Sequence, residues 1–419
     1  MRDMSGHRLF LAGFVAAAAA SVLACGYVER RRAARRAALI SEGLPSEYFD
    51  SRRLRDDDGE LFAIRDDRGV RGWLRLLAHR ELFDSVFPGY EEALTDRAFW
   101  RLYAALFSDS SVVSPLVSGQ ADATVITSWA GNMELFRRYG ADVLLLGSSE
   151  MYHALAPALL RDGMKSVGRK VLSVGIANMS PAAVAFTARE MKNGGRRAHI
   201  AVWGYSLWNA AHGKGYAEAE TFVRRSAARR SQVFSRSGAS GRWKARRGLS
   251  WDRFIFNIER DWPTDDGGKR VFLLNEADIA DESAFAAAIG RLAPFDMRLS
   301  GSGDRACDMD AAGAELDAAL AEILAVSDKV VLYLVPTTPL QIRSAPACYA
   351  PSVRRMLRAR AGPRVMVMDA DWRAYGLGYR DFLKRNARRG VWWIDTAHPN
   401  IAGARKINAV VAALLRKHW

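Results

Sequence analysis

The stretch "DVLLLGSSEMYHAL" (142–155) decides how this chain is read: four apolar residues in a row stop at a glycine and two serines, and a helical pattern begins. The pattern recurs in five apolar runs, "ADVLLLG" (141–147), "KVLSVGIA" (170–177), "AHIAVWGYS" (198–206), "KVVLYLVPT" (329–337) and "RVMVMDAD" (364–371). Amphipathic stretches lie between them at 151–162, 181–193, 311–326 and 351–361, and "NIAGARKINAVVAALLRKHW" closes the chain. Near-continuous apolar strands alternating with helices predict a mostly parallel sheet covered on both faces. The expected fold is therefore α/β, a three-layer sandwich around a five-stranded, mostly parallel sheet, spanning 141–419. Ligands of such sheets bind where the carboxyl ends of the strands open into loops. A site is thus expected in the loops after residues 147, 176, 205, 337 and 371.

The beginning of the chain follows another rule. "RLFLAGFVAAAAASVLACGYV" (8–28) carries no charge after Arg8 and runs into "ERRRAARR". A bilayer span needs about 20 such residues, so residues 1–29 are read as an N-terminal membrane anchor, with 9–28 in the bilayer. Arginines after the span favour a cytoplasmic body by the positive-inside rule, a conflict with the external location that the function below requires.

Two regions break the strand–helix rhythm. Residues 30–140, aromatic and mixed in charge, are expected to be a helical extension packed on the core. Residues 210–310 form an insertion between the third and fourth strands, placed to overhang the carboxyl edge as a lid or clamp, or to decorate the surface. The net charge of +15 concentrates there: Lys214 to Ser250 holds ten basic residues against Glu218 and Glu220. No nucleic-acid module accompanies them. Beside a membrane anchor, an anionic lipid or envelope glycan is the expected partner, although a solvated arginine face fits the run as well. Of the three cysteines, Cys25 lies in the anchor. Cys307 and Cys348 could pair in an oxidising compartment, and two unpaired thiols fit equally. No spacing resembles a metal site, and no cofactor is implied.

Two short stretches carry the chemistry. Ser148 sits where the first strand ends and a helix begins, where helix N-terminal amides favour developing negative charge; serine is also a common helix cap. About 250 residues on, "WWIDTAHPNIAGARKI" places Asp395 and His398 in the loop before the last helix. A carboxylate beside an imidazole fixes its tautomer and makes it an effective base toward a serine hydroxyl. The alternative makes Asp395 or Asn400 the cap of the last helix. His153, on the helix after Ser148, is read as facing away from the nucleophile and packing. The Trp392–Trp393 pair is read as packing beside the sheet or lining a site.

A serine after the first strand with Asp-x-x-His before the last helix resembles the SGNH hydrolase superfamily, whose nucleophile lies in an early Gly-Asp-Ser block. "GSSEMYH" together with the anchor is most similar to the DltD branch, which serves D-alanine transfer onto teichoic acids beside a membrane-bound O-acyltransferase. The resemblance covers 141–209 and 329–419 and implies Ser148 as nucleophile, His398 as base and Asp395 as its orienting partner. It implies an oxyanion hole that includes Ser148 and Gly175. The superfamily's Gly-x-Asn-Asp block is missing; "VWGYSLWN" stands in its place, which leaves Asn209 and Asn178 as rival side-chain donors. The resemblance implies a membrane-anchored serine acyltransferase or esterase of a bacterial envelope, its body outside the cytoplasmic membrane, with an O-acyltransferase as partner. A deacylating esterase using water, and a non-catalytic accessory protein of such a system, are the alternatives.

Overall fold

The computed structural model describes residues 87–96, 129–164, 167–168, 170–176, 179–211, 273–292, 307–343, 345–386 and 391–419. The expected anchor, most of the 30–140 extension, the basic run and Asn178 lie outside these residues. Among the described residues no helix is long and apolar enough to cross a membrane.

The first half runs α1 (Trp129–Tyr139), β1 (Ala141–Gly147), α2 (Ser149–Ala154), α3 (Pro157–Gly163), β2 (Val171–Ser173), α4 (Pro181–Lys192), β3 (Ala198–Tyr205) and α5 (Leu207–Ala211). The second half holds β4 (Leu273–Leu274), α6 (Glu282–Arg291), α7 (Asp310–Val326), β5 (Ser327–Leu334), α8 (Pro339–Ile342), α9 (Tyr349–Arg358), β6 (Val365–Met368), β7 (Leu383–Asn386), β8 (Val391–Ile394) and α10 (Ile401–His418). The five apolar runs become β1, β2, β3, β5 and β6, one parallel sheet in the order β2-β1-β3-β5-β6. That is the flavodoxin-like strand order, whose switch point lies between the two central strands β1 and β3.

The sheet forms because its strands can bury both faces. Side chains alternate across it. Val143, Leu145, Ile200, Val202, Val331 and Tyr333 share one core with Met151, Leu160, Ile407, Val411 and Leu415 of α2, α3 and α10. The opposite face is covered by α4 and α7, which pack on each other. In α7 the buried residues Ala312, Leu316, Ala319, Leu320 and Ile323 follow a helical stripe. Ser180 caps α4, accepting from the Ala183 N–H at 3.1 Å.

The structure adds a second sheet and an amino-edge contact, and it decides between the two alternatives for the cysteines. β8 belongs to a second, antiparallel sheet, β4-β8-β7, with Leu273 opposite Trp393 and Leu383 opposite Ile394. Part of the insertion is therefore structural: β4 pairs with β8, and Leu274, Phe285, Ala288 and Ile289 join the main core. Cys307 and Cys348 form a disulfide with Cα atoms 5.9 Å apart, tying the approach to α7 to the start of α9. At the amino edge, the Tyr90 hydroxyl donates to the Gly140 carbonyl at 2.7 Å, which fixes residues 87–96 against the turn into β1.

Candidate active site

The site grows from three glycines at the carboxyl ends of neighbouring strands. Gly147 closes β1 with φ +145°, Gly204 lies opposite it in β3, and Gly175 follows β2. A Cβ on Gly204 would lie 2.3 Å from Met151 Cγ, and one on Gly175 would lie 2.7 Å from Met151 Cε and from the Gly147 carbonyl. The fully buried Met151 thus occupies a seat that side chains at these positions would fill. It draws the first turn of α2 down onto the sheet edge and sets the direction of the residues just before it.

Those residues divide their tasks in a way that corrects the sequence reading. Ser148 is the N-cap, with extended backbone (φ −81°, ψ −170°), and its hydroxyl donates to the Glu150 carboxylate. Ser149, the first helical residue, has Oγ 2.9 Å from His398 Nε2. The structure therefore brings Ser149, not Ser148, to the imidazole. The reason is local: a cap residue in extended conformation turns its side chain toward its own first turn, where Glu150 captures it. A signal for Ser149 was present in the sequence, because setting Gly-Asp-Ser on Gly147-Ser148-Ser149 places the serine third.

His398 is held from the other side by Asp395, whose two oxygens lie 2.9 and 3.0 Å from Nδ1. Asp395 is buried and also accepts from the backbone N–H groups of Ala397 (3.2 Å) and His398 (3.0 Å). A carboxylate only accepts, so Nδ1 carries a proton, and in the neutral tautomer this selects, Nε2 presents its lone pair to the Ser149 hydroxyl. Asp395 has no competing duty as a cap, because Asn400 takes that role, accepting from the Gly403 N–H at 3.1 Å. The loop is clamped further: the Thr396 carbonyl accepts from the Thr338 N–H (2.9 Å) and hydroxyl (3.1 Å), and the Thr396 hydroxyl donates to Gln341.

The remaining expected residues fare differently. Gly175 lies beside the Ser149 turn, the amides on either side of it bonding to β1 (Val174 to the Leu145 carbonyl, 3.0 Å; Ile176 to the Gly147 carbonyl, 3.2 Å). Asn209 was expected to donate to an oxyanion. Its Oδ1 accepts from the Ser206 N–H at 2.8 Å and one Nδ2 hydrogen goes to the Met179 carbonyl at 3.0 Å, so the buried amide braces the exit of β3 against the loop after β2 and keeps a second N–H. Its rival Asn178 lies outside the described residues. His153 does not face away. Four residues after Ser149, it lies on the same face of α2, and its ring meets that of His398 edge to face, with centroids 4.8 Å apart at 62°. Trp393 is buried, and Trp392 packs against the main core.

An imidazole between a buried carboxylate and a serine hydroxyl can take the hydroxyl proton as the oxygen attacks an acyl carbon. Among the described residues no group of His, Cys, Asp or Glu side chains could hold a metal ion. Comparison with known proteins finds no matching family model, curated protein or solved structure.

Proposed function

We propose that the chain is a membrane-anchored serine acyltransferase or esterase of the SGNH type, most similar to the DltD branch, acting on an envelope glycan or lipid. One observation carries this reading: His398 bridges Asp395 and Ser149, at 2.9 Å from an oxygen of each. Ser149 Oγ attacks the carbonyl carbon of an ester or thioester while its proton passes to His398 Nε2. The leaving group departs with that proton, and the acyl group remains on Ser149. An acceptor hydroxyl then gives its proton to His398, bonds the acyl carbon, and releases Ser149. With a glycan or lipid hydroxyl as acceptor the enzyme is a transferase; with water it is an esterase.

The Cys307–Cys348 disulfide supports an oxidising compartment and therefore a body outside the cytoplasmic membrane. The basic run in the insertion suits an anionic acceptor or the lipid surface itself. The missing Gly-x-Asn-Asp block favours a slow enzyme or one completed by a partner such as a membrane-bound O-acyltransferase, since one missing oxyanion donor costs about 10²–10³ in rate.

The test is hydrolysis of p-nitrophenyl acetate by the full-length protein in detergent. Ser149→Ala and His398→Ala are expected to lose at least about 10³-fold in kcat/KM, and Ser148→Ala to retain most of it. Equal rates in all variants, with folding intact by circular dichroism, would refute acyl-serine chemistry and favour an accessory protein. Loss in Ser148→Ala alone would return the nucleophile to that residue.

A further inference from the structure

The mechanism above leaves one ring at its centre unused. His153 projects from α2 one turn after Ser149, and both side chains reach His398. The contact with His398, 4.8 Å between centroids at 62°, is the edge-to-face geometry that aromatic rings prefer. His153 is itself braced, its ring 5.0 Å from that of the buried Tyr152.

We infer that His153 is a positioning residue that keeps the His398 imidazole aimed at the reacting oxygen while Ser149 is acylated. The inference rests on the acyl-serine reading. Among the described residues the imidazole has two polar anchors, Asp395 at Nδ1 and the Ser149 hydroxyl at Nε2. Nδ1 is almost equidistant from the two Asp395 oxygens, at 2.9 and 3.0 Å, so this anchor alone lets the ring rock between them. Acylation removes the Ser149 proton, and with it the second anchor. The second half-reaction still needs Nε2 in place. There the acceptor O–H transfers its proton to Nε2 as its oxygen bonds the acyl carbon, the bond from that carbon to Ser149 Oγ breaks, and His398 returns the proton to Ser149 Oγ. The His153 contact does not involve the Ser149 proton and persists through this stage.

A contact of this kind supports an effect of up to about tenfold in rate, and it falls on one half of the reaction. The full-length protein turning over p-nitrophenyl acetate reports both halves. Intact-protein mass spectrometry gives the fraction acetylated on Ser149 in the steady state, and p-nitrophenolate release gives the turnover. His153→Ala is expected to lower turnover by up to about tenfold while raising the acetylated fraction. His153→Gln, a residue at home in helices, should behave alike, and His153→Phe, which keeps an aromatic edge, should restore turnover. Thermal unfolding of each variant tracks the fold. Slower turnover with an unchanged or smaller acetylated fraction, or no restoration by phenylalanine, overturns the positioning role. Turnover in wild type that survives Ser149→Ala overturns the acyl-serine reading, and this inference with it.

Discussion

Gly204→Ala tests whether the seat of Met151 governs the candidate nucleophile. The new Cβ would stand 2.3 Å from Met151 Cγ and 2.4 Å from Met151 Cβ, where ordinary contact begins at 3.4 Å. About 1 Å must therefore be found. A side-chain rotation cannot supply it, because Met151 Cβ is fixed to the backbone of α2. Nor can β3 retreat, since it is hydrogen-bonded to β1 on one side and β5 on the other. The first turn of α2 has to move, carrying Ser149 away from His398 and their present 2.9 Å contact. Overpacking of this kind costs about 1–3 kcal/mol, and a 1 Å misplacement of a reacting group costs about 10² in rate. The assay is kcat/KM on p-nitrophenyl acetate together with a denaturant midpoint. A fall of about 100-fold in kcat/KM with a modest loss of stability is expected. Wild-type stability would refute the packing argument. Lost stability with unchanged kcat/KM would refute the link from Met151 to Ser149.

The other predictions concern separate parts of the molecule. Gly290 is exposed in the last turn of α6 with nothing within 4 Å of an added Cβ, so Gly290→Ala should stabilise by about 0.4–1 kcal/mol and raise Tm without changing activity; an unchanged or lower Tm contradicts this. Asp395→Asn keeps the shape beside His398 but no longer holds the required tautomer, and kcat should drop by about 10³–10⁴ with KM little changed; a drop below tenfold would remove Asp395 from its role. Reduction of the disulfide, or Cys307→Ser with Cys348→Ser, opens a link across 41 residues and should cost about 2–4 kcal/mol, read as a lower denaturant midpoint; an equal midpoint under reducing and oxidising conditions argues against the bond. Burial pushes the phenols of Tyr90, Tyr205, Tyr333, Tyr349 and Tyr375 up. The native state thus keeps protons that the unfolded chain releases near pH 10. Their contribution to stability is complete below about pH 10 and is lost as pH rises beyond it, so Tm should fall from there; a flat Tm to pH 11.5 or so contradicts the sign.

Much of the architecture was legible because it depends on patterns short in sequence. Runs such as "VLLL" at 143–146 and "VVLYL" at 330–334 are buried on both faces, and only parallel central strands bury side chains that way. The pairing of Asp395 with His398 was legible for the same reason: they are three residues apart, and a single loop brings their side chains together. β4 and β7 were not legible. Their pairing with β8 is set by contacts between distant segments, and β4 is two residues long, too short to show a period.

The sequence by itself determined the parallel sheet, the edge where its loops gather, and the Asp395–His398 contact. Each follows from local periodicity or close spacing, which every segment carries with it. Only the tertiary structure decided which serine meets the imidazole. Ser148 and Ser149 are chemically identical neighbours, and what separates them is long-range: Met151 seated over Gly147, Gly175 and Gly204 orients the turn, and His398 reaches it from 249 residues away. The same holds for Asn209, a brace to Met179, and for His153, drawn against His398 by the helix that carries Ser149. Those assignments depend on where side chains point once the core has closed, and no local pattern encodes that.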